Sequence, residues 1–216
     1  AQARGMSEQA HCDDLAPRFL DLWKTLGIEY NDFIRTTQAR HIQVVQDVLQ
    51  KVYDKGDIYA DEYEGWYSVA EERFITETEK ESGTFRDVKR LKERNWFFKM
   101  SKYQQALIDH INQHPGFIAP EHRKNEILGF LKQPLGDLCI SRPKTRMSWG
   151  IELPFDKAYV TYVWFDALVN YISALGYPDD PKFEKYWAAS NHIVAKDIIK
   201  PHGIYWPTML KASGIP

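Results

Sequence analysis

The side chains best suited to chemistry stand near the C-terminal end, in VWFDALVNY at 163–171 and NHIVAKDIIKPHGIYWP at 191–207. Trp164 and Tyr171 are seven residues apart, about two helical turns, so from a strand end onward they can wall an apolar slot. Asp197 and His202 lie five apart across a helix start. A carboxylate there favours a substrate cation, and an imidazole donates or accepts hydrogen bonds near neutral pH. In each stretch a strand runs into a helix, and the carboxyl ends of strands in an open α/β sheet face one ligand crevice. The competing reading makes Trp164, Tyr171 and Trp206 core aromatics and Asp197 a helix cap.

Other chemistries find no support in the residue pattern. Structural zinc needs closely spaced nitrogen or sulfur ligands, and the chain has neither a CxxC pair nor Cys and His at finger distances. His110, His114 and His122 would share a helical face only if Pro115 and Pro120 did not interrupt it. No GxxxxGK[ST] or GxGxxG phosphate loop and no GxSxG elbow occurs. Cys12 and Cys139 have no local partner that would make either a nucleophile.

The elements that position these residues can be read from periodicity. Leu15, Phe19, Leu22, Trp23 and Leu26 form a helical stripe meant to cover a core, ended by Gly27. Residues 31–37 (NDFIRTT) read as a short strand, and Ile42, Val45, Val48, Leu49 and Val52 as a second helix ended by Gly56. From 58 to about 103 aromatic residues alternate with charges, which predicts a β-rich insertion with a loop at 81–83. Residues 61–81 carry eight acidic against two basic side chains, and residues 86–102 seven basic against two acidic. Opposite charge on neighbouring strands reads first as cross-strand pairing, and second as a basic, aromatic surface that meets phosphates. Helices are expected over 101–113 and 121–132, a polar basic loop over 142–148, and strands at 149–153, 159–164 and 192–195. A helix follows through Ala174, and Pro207 falls in the first turn of a final one.

The composition fits a folded chain. Of 216 residues, 44% are hydrophobic and 27% charged, with a net charge of −2, so any contact with an acidic partner must be local. The longest mostly apolar run, 158–169, is shorter than the ~20 residues of a membrane span and contains Asp166. No secretory signal opens the chain and two cysteines make no disulfide framework, so a cytoplasmic location is expected.

Several stretches in one order resemble the methionyl-tRNA synthetase family of class I aminoacyl-tRNA synthetases. They are YNDFIRTTQARH (30–41), GDIYADEYEGWYSV (56–69), NWFFKMSKYQ (95–104), DLCISRPKTRMSWGIELP (137–154), VWFDALVNY, and HIVAKDIIKPHGIYWPTML (192–210), and together they extend over nearly the whole chain. The resemblance implies an α/β Rossmann catalytic domain with a parallel sheet, its halves at 1–57 and 114–216, split by a β-rich connective-peptide insertion at 58–113. It also implies the activity: methionine attacks ATP to give methionyl-adenylate, and the 3′ end of tRNA(Met) then takes the methionyl group. By position, Trp164, Ala167, Leu168, Tyr171, Ile198, His202 and Trp206 correspond to the methionine side-chain pocket. Asp197 would adjoin methionine and nucleotide beside Ala195 and Lys196, and Arg142, in the ISR motif, would be the catalytic cation near the reacting carboxylate and phosphates. ATP with Mg2+ is the implied co-substrate.

The departures from the family pattern carry expectations of their own. Neither the HIGH-type nor the KMSKS-type motif is present, so the chain reads as an internal part of a longer enzyme and by itself should activate methionine poorly. The string KMSK at Lys99–Lys102 lies inside the insertion and is followed by Tyr103, and PHGI at 201–204 only looks like HIGH. Ser68 and Glu71 stand where many relatives have cysteine knuckles, implying a zinc-free insertion. Ala195 replaces the glycine of the GKDI motif. The alternatives are a non-catalytic tRNA- or protein-binding module on the same fold, or an aromatic-rich ligand-binding protein unrelated to tRNA.

Overall fold

A computed structural model describes residues 1–216 apart from 69–72, 76, 82 and 84. Helix α1 (Glu8–Thr25) starts at Ser7, whose hydroxyl accepts from the Ala10 amide, and α2 (Ala39–Asp54) follows. Strand β1 (Ile58–Ser68), β2 (Arg73–Ile75), α3 (Glu77–Glu81) and β3 (Val88–Phe98) follow. After a 3-10 turn at Met100–Tyr103 come α4 (Gln104–Gln113), α5 (Glu121–Phe130), β4 (Leu138–Cys139), β5 (Ser141–Pro143) and β6 (Tyr159–Thr161). Then α6 (Val163–Ala167), α7 (Asn170–Ser173), α8 (Pro181–Trp187) and α9 (Trp206–Ser213) complete the chain.

The α2 stripe behaves as its spacing predicts at Val45, Val48, Leu49 and Val52, while Ile42 is only partly buried and Val44 joins the core. Val44, Val45, Val48, Leu49 and Val52 are buried in one core with Leu107, Ile111, Ile127, Phe165, Leu168, Ile204 and Met209. Each fully buried aliphatic side chain of this kind contributes roughly 1.5–3 kcal/mol. Because Leu107 and Ile111 belong to this core, α4 packs with the helical body, and the projecting part of 58–113 is the ribbon of β1 and β3. That ribbon pairs antiparallel from Ile58↔Phe98 to Ser68↔Val88, in a sheet of order β2-β1-β3-β4. Its charges meet across the strands: Arg90 Nε is 2.9 Å from Glu64 and Lys92 Nζ 3.1 Å from Glu62. Of the expected loop at 81–83, residue 82 lies outside the described residues.

Several expectations are corrected. Every strand pairing among the described residues is antiparallel, including β5 with β6, so these residues do not form the expected parallel sheet. Residues 192–195 have no regular secondary structure and join no ladder among the described residues, and Ile193 is 98% exposed. Residues 31–37 are not a strand. Side chains hold this stretch: Arg40 clasps Asp32 through two bonds of 2.6 and 2.7 Å, and Trp23 meets Tyr30 and Phe33 edge to face. The α1 stripe does not cover the core, since α1 buries none of its residues and Phe19, Leu22 and Leu26 are exposed. Arg142 and Pro143 lie in β5, opposite Val160 and Tyr159, where a loop was expected. The 149–153 strand reduces to one bridge, Glu152 to Val160. Helix α8 has no counterpart among the expected elements, although Asp180 caps it, accepting from the Lys182 amide at 2.9 Å, and Pro181 opens it.

Candidate active site

The two chemical stretches meet where α7 faces the chain between α8 and α9. Pro201–Tyr205 forms a π-helical turn leading into α9, in which Pro207 has no amide hydrogen for an intrahelical bond. This wider turn sets His202 and Trp206 on the side that faces Tyr171. The Tyr171 hydroxyl lies 2.6 Å from His202 Nε2, and His202 Nδ1 lies 2.8 Å from the Ile198 carbonyl. A carbonyl only accepts, so Nδ1 carries the hydrogen and, in the neutral ring, Nε2 accepts from Tyr171. The Tyr171 and Trp206 ring centroids are 6.1 Å apart.

His192, not singled out from the sequence, completes the cluster. Its ring centroid is 4.2 Å from that of Tyr171, and its Nε2 accepts from Trp206 Nε1 at 3.1 Å. Burial, and then the neighbouring His202, push the His192 imidazole down, which keeps Nε2 available as an acceptor. Burial pushes the Tyr171 phenol up, so it stays a neutral donor. Trp187 borders the same group, 6.1 Å from Trp206. No local spacing links Trp187 and His192 to Tyr171 and Trp206, so it is the fold that adds these two to the grouping.

The remaining expected residues fall around this cluster. Trp164 is half-buried, edge-on to Tyr205 at 6.4 Å, and Leu168 is buried in the core. The Ala167 carbonyl accepts from the Asn170 side chain. Ala195, Lys196 and Asp197 are exposed at a 3-10 turn, Lys196–Ile198, and Ile198 is half-buried. Arg142 is not brought to the cluster. It is 3% exposed, donates to the Ser141 carbonyl at 2.7 Å, and lays its guanidinium 3.7 Å from the Tyr162 ring centre. Its guanidinium face stacks on Tyr162, the N-cap residue of α6, an arrangement that leaves the in-plane direction of its N–H fork unchanged.

Two surface hollows lie elsewhere. One of about 420 Å³ is lined by Phe130, Asp137, Lys200 and Tyr205 among others, and one of about 710 Å³ by Arg40, Asp47, Tyr177 and Asp180 among others. Neither is lined by Trp164, Tyr171, His202 or Trp206. Among the described residues no group of three or more His, Cys, Asp or Glu gathers as a metal site would, and no helix is long and apolar enough to cross a membrane. Ser68 is buried with its hydroxyl bonded to the Arg86 carbonyl, and Glu71 lies outside the described residues.

The family model for class I (M) tRNA synthetases matches residues 1–84 and 78–216. A methionine–tRNA ligase of Clostridium acetobutylicum is 49% identical over 223 residues, covering all of this chain and 34% of its own length. One of Deinococcus radiodurans is 50% identical, covering 98% of this chain and 32% of its own. The chain spans about a third of the length of these curated relatives. The solved structure of Mycobacterium tuberculosis methionyl-tRNA synthetase in complex with methionyl-adenylate matches with a TM-score of 0.91 at 39% identity, over all of this chain and 44% of that one. With the family model matching both halves and relatives near 50% identity aligned along its whole length, this chain belongs to the class I (M) tRNA synthetases.

Proposed function

We propose that this chain is the methionine-binding part of the catalytic region of a methionine–tRNA ligase. The observation that carries the reading is the convergence of Tyr171, His202 and Trp206 on one cluster, within a fold that matches a methionyl-adenylate complex at a TM-score of 0.91. A thioether seated among aromatic rings gains sulfur–aromatic contact, and Trp164, Ala167, Leu168 and Ile198 extend the apolar wall. Exposed Asp197, beside Ala195 and Lys196, is assigned to the methionine ammonium and the nucleotide. Arg142, stacked on Tyr162 at the start of α6, is assigned to the side of the reacting carboxylate and phosphates.

In the reaction, a methionine carboxylate oxygen attacks the α-phosphorus of ATP, which enters with Mg2+ as co-substrate. A new phosphorus–oxygen bond forms and pyrophosphate leaves. A ribose hydroxyl at the 3′ end of tRNA(Met) then attacks the methionyl carbonyl, and AMP leaves. The chain's contribution is positioning of methionine. In this reading 1–57 and 114–216 are the two parts of a Rossmann domain, 58–113 is a zinc-free connective-peptide insertion, and the enzyme works in the cytoplasm.

The test is calorimetric titration of the chain and of the full-length gene product with methionine and a non-hydrolysable methionyl-adenylate analogue, alongside methionine-dependent ATP–pyrophosphate exchange. Binding and exchange by the full-length protein are expected. A full-length protein that binds tRNA but neither methionine nor the analogue would make the non-catalytic module the correct reading.

A further inference from the structure

His41 is completely buried in the first turn of α2, and both its ring nitrogens are spent on the segment that carries the proposed pocket wall. Its Nε2 lies 2.7 Å from Asp166 Oδ1 and its Nδ1 2.8 Å from Ser173 Oγ. A carboxylate only accepts, so Nε2 carries the hydrogen, and the single Ser173 hydroxyl hydrogen is shared between His41 Nδ1 and the Asn170 carbonyl. On its other side the Ser173 hydroxyl is 3.2 Å from the Asn170 carbonyl, and the Asn170 side chain bonds in turn to the Ala167 carbonyl. One ring thus spans both ends of the stretch from α6 to α7.

Those two helices have five and four residues, too short to hold their shape or place without tertiary support. Helix α2 has sixteen residues and is fixed by the buried Val45 and Leu49. Between the two anchors lie Ala167, Leu168 and Tyr171, and Trp164 stands two residues before Asp166. A Ser–His–Asp hydrolytic reading fails on geometry. Ser173 is 1% exposed, and hydroxyl and carboxylate sit on the opposite nitrogens from those of a serine hydrolase.

We infer that His41 is a positioning residue for the methionine pocket: by holding Asp166 and Ser173 it fixes the distance of the α6–α7 wall from α2. This inference rests on the methionine-binding reading above. Loss of the tie lets that wall move, and a displacement of about 1 Å in a positioning element costs up to ~100-fold in the function it supports.

The test uses methionine-dependent ATP–pyrophosphate exchange by the full-length protein, with KM measured separately for methionine and ATP and folding checked by thermal midpoint. In His41→Asn, Asp166→Ala and Ser173→Ala the methionine KM is expected to rise about tenfold or more while the ATP KM stays within about twofold. Asp166→Asn keeps an acceptor for the Nε2 hydrogen and is expected to stay near the parent. If His41→Asn does not fold, the Asp166 and Ser173 variants decide. A parent without methionine-dependent exchange overturns the functional reading. An active parent whose folded variants keep the parental methionine KM, or shift both KM values together, overturns the role of His41 alone.

Discussion

The Lys102 ammonium donates to the buried Asp57 carboxylate across 2.6 Å, although the two residues lie beyond opposite arms of the β1–β3 ribbon. The Tyr103 hydroxyl takes the other carboxylate oxygen at 2.5 Å, and Lys99 reaches back to the Gly56 carbonyl at 2.7 Å. The string KMSK is therefore part of the clasp at the Ile58/Phe98 end of the β1–β3 ribbon. Burial opposes the charge on Asp57, but the bonds from Lys102 and Tyr103 outweigh it and hold the carboxyl below the usual range.

Removing that carboxylate leaves a buried phenol and an ammonium without their acceptor. Asp57→Ala is expected to lower the free energy of unfolding by about 3 kcal/mol in urea titrations near pH 7. Because the folded state lowers the Asp57 pKa, its contribution is complete above about pH 4 and is lost as pH falls through the folded value. The variant should therefore lose less stability on acidification than the parent. A parent and variant that fall in parallel would show that Asp57 is not the group being titrated.

Trp164 tests the pocket assignment directly. Trp164→Ala should weaken methionine binding by about 2 kcal/mol, as truncation of an aromatic anchor that the ligand covers does. Calorimetry on the folded variant measures it, and an unchanged affinity would remove Trp164 from the pocket.

The ribbon's basic strand has two readings with different salt dependence. Arg90 and Lys92 already pair with Glu64 and Glu62 on an exposed face, where each pair contributes no more than about 1 kcal/mol. Reversing the charge at Lys89, Arg90 and Lys92 should therefore cost little stability. It should weaken tRNA binding and flatten its dependence on salt, by roughly 0.9 in the logarithmic slope for each phosphate no longer neutralised. A slope equal to the parent's would leave cross-strand pairing as the strand's whole role.

His192 should make stability depend on pH in the opposite sense from a histidine that gains an acidic partner. Its folded pKa is depressed by burial and then by His202, so its contribution is complete above about pH 6.5 and is lost as pH falls through the folded value. Protonation would also turn Nε2 into a donor facing the Trp206 indole N–H. The thermal midpoint is expected to drop between pH 7.5 and 5.5, and to drop less in His192→Gln. Equal drops would assign the titration to another group, such as His110, which burial also lowers.

Local pattern was enough wherever an element's own residues decide its form. The α2 stripe, the alternating aromatic and charged ribbon, and the place of Pro207 in the final helix all follow from side-chain period and backbone chemistry. The residues around Tyr171, His202 and Trp206 were also legible, first as suited types and then through resemblance. The same local signals misled at 31–37 and 192–195, because an extended run becomes a strand only beside a partner, and pairing is set by residues far away in the chain.

The sequence by itself determined which residues prefer helix, strand or core, and which side chains are of the type to wall an apolar slot or face a substrate cation. Only the tertiary structure decided that Arg142 lies under Tyr162, that His192 joins the aromatic cluster, and that His41 ties Asp166 to Ser173 across separations of 125 and 132 residues. The physical reason is that a buried polar group must find its hydrogen-bond partners in space, and sequence period records which face a residue takes but not what that face will meet.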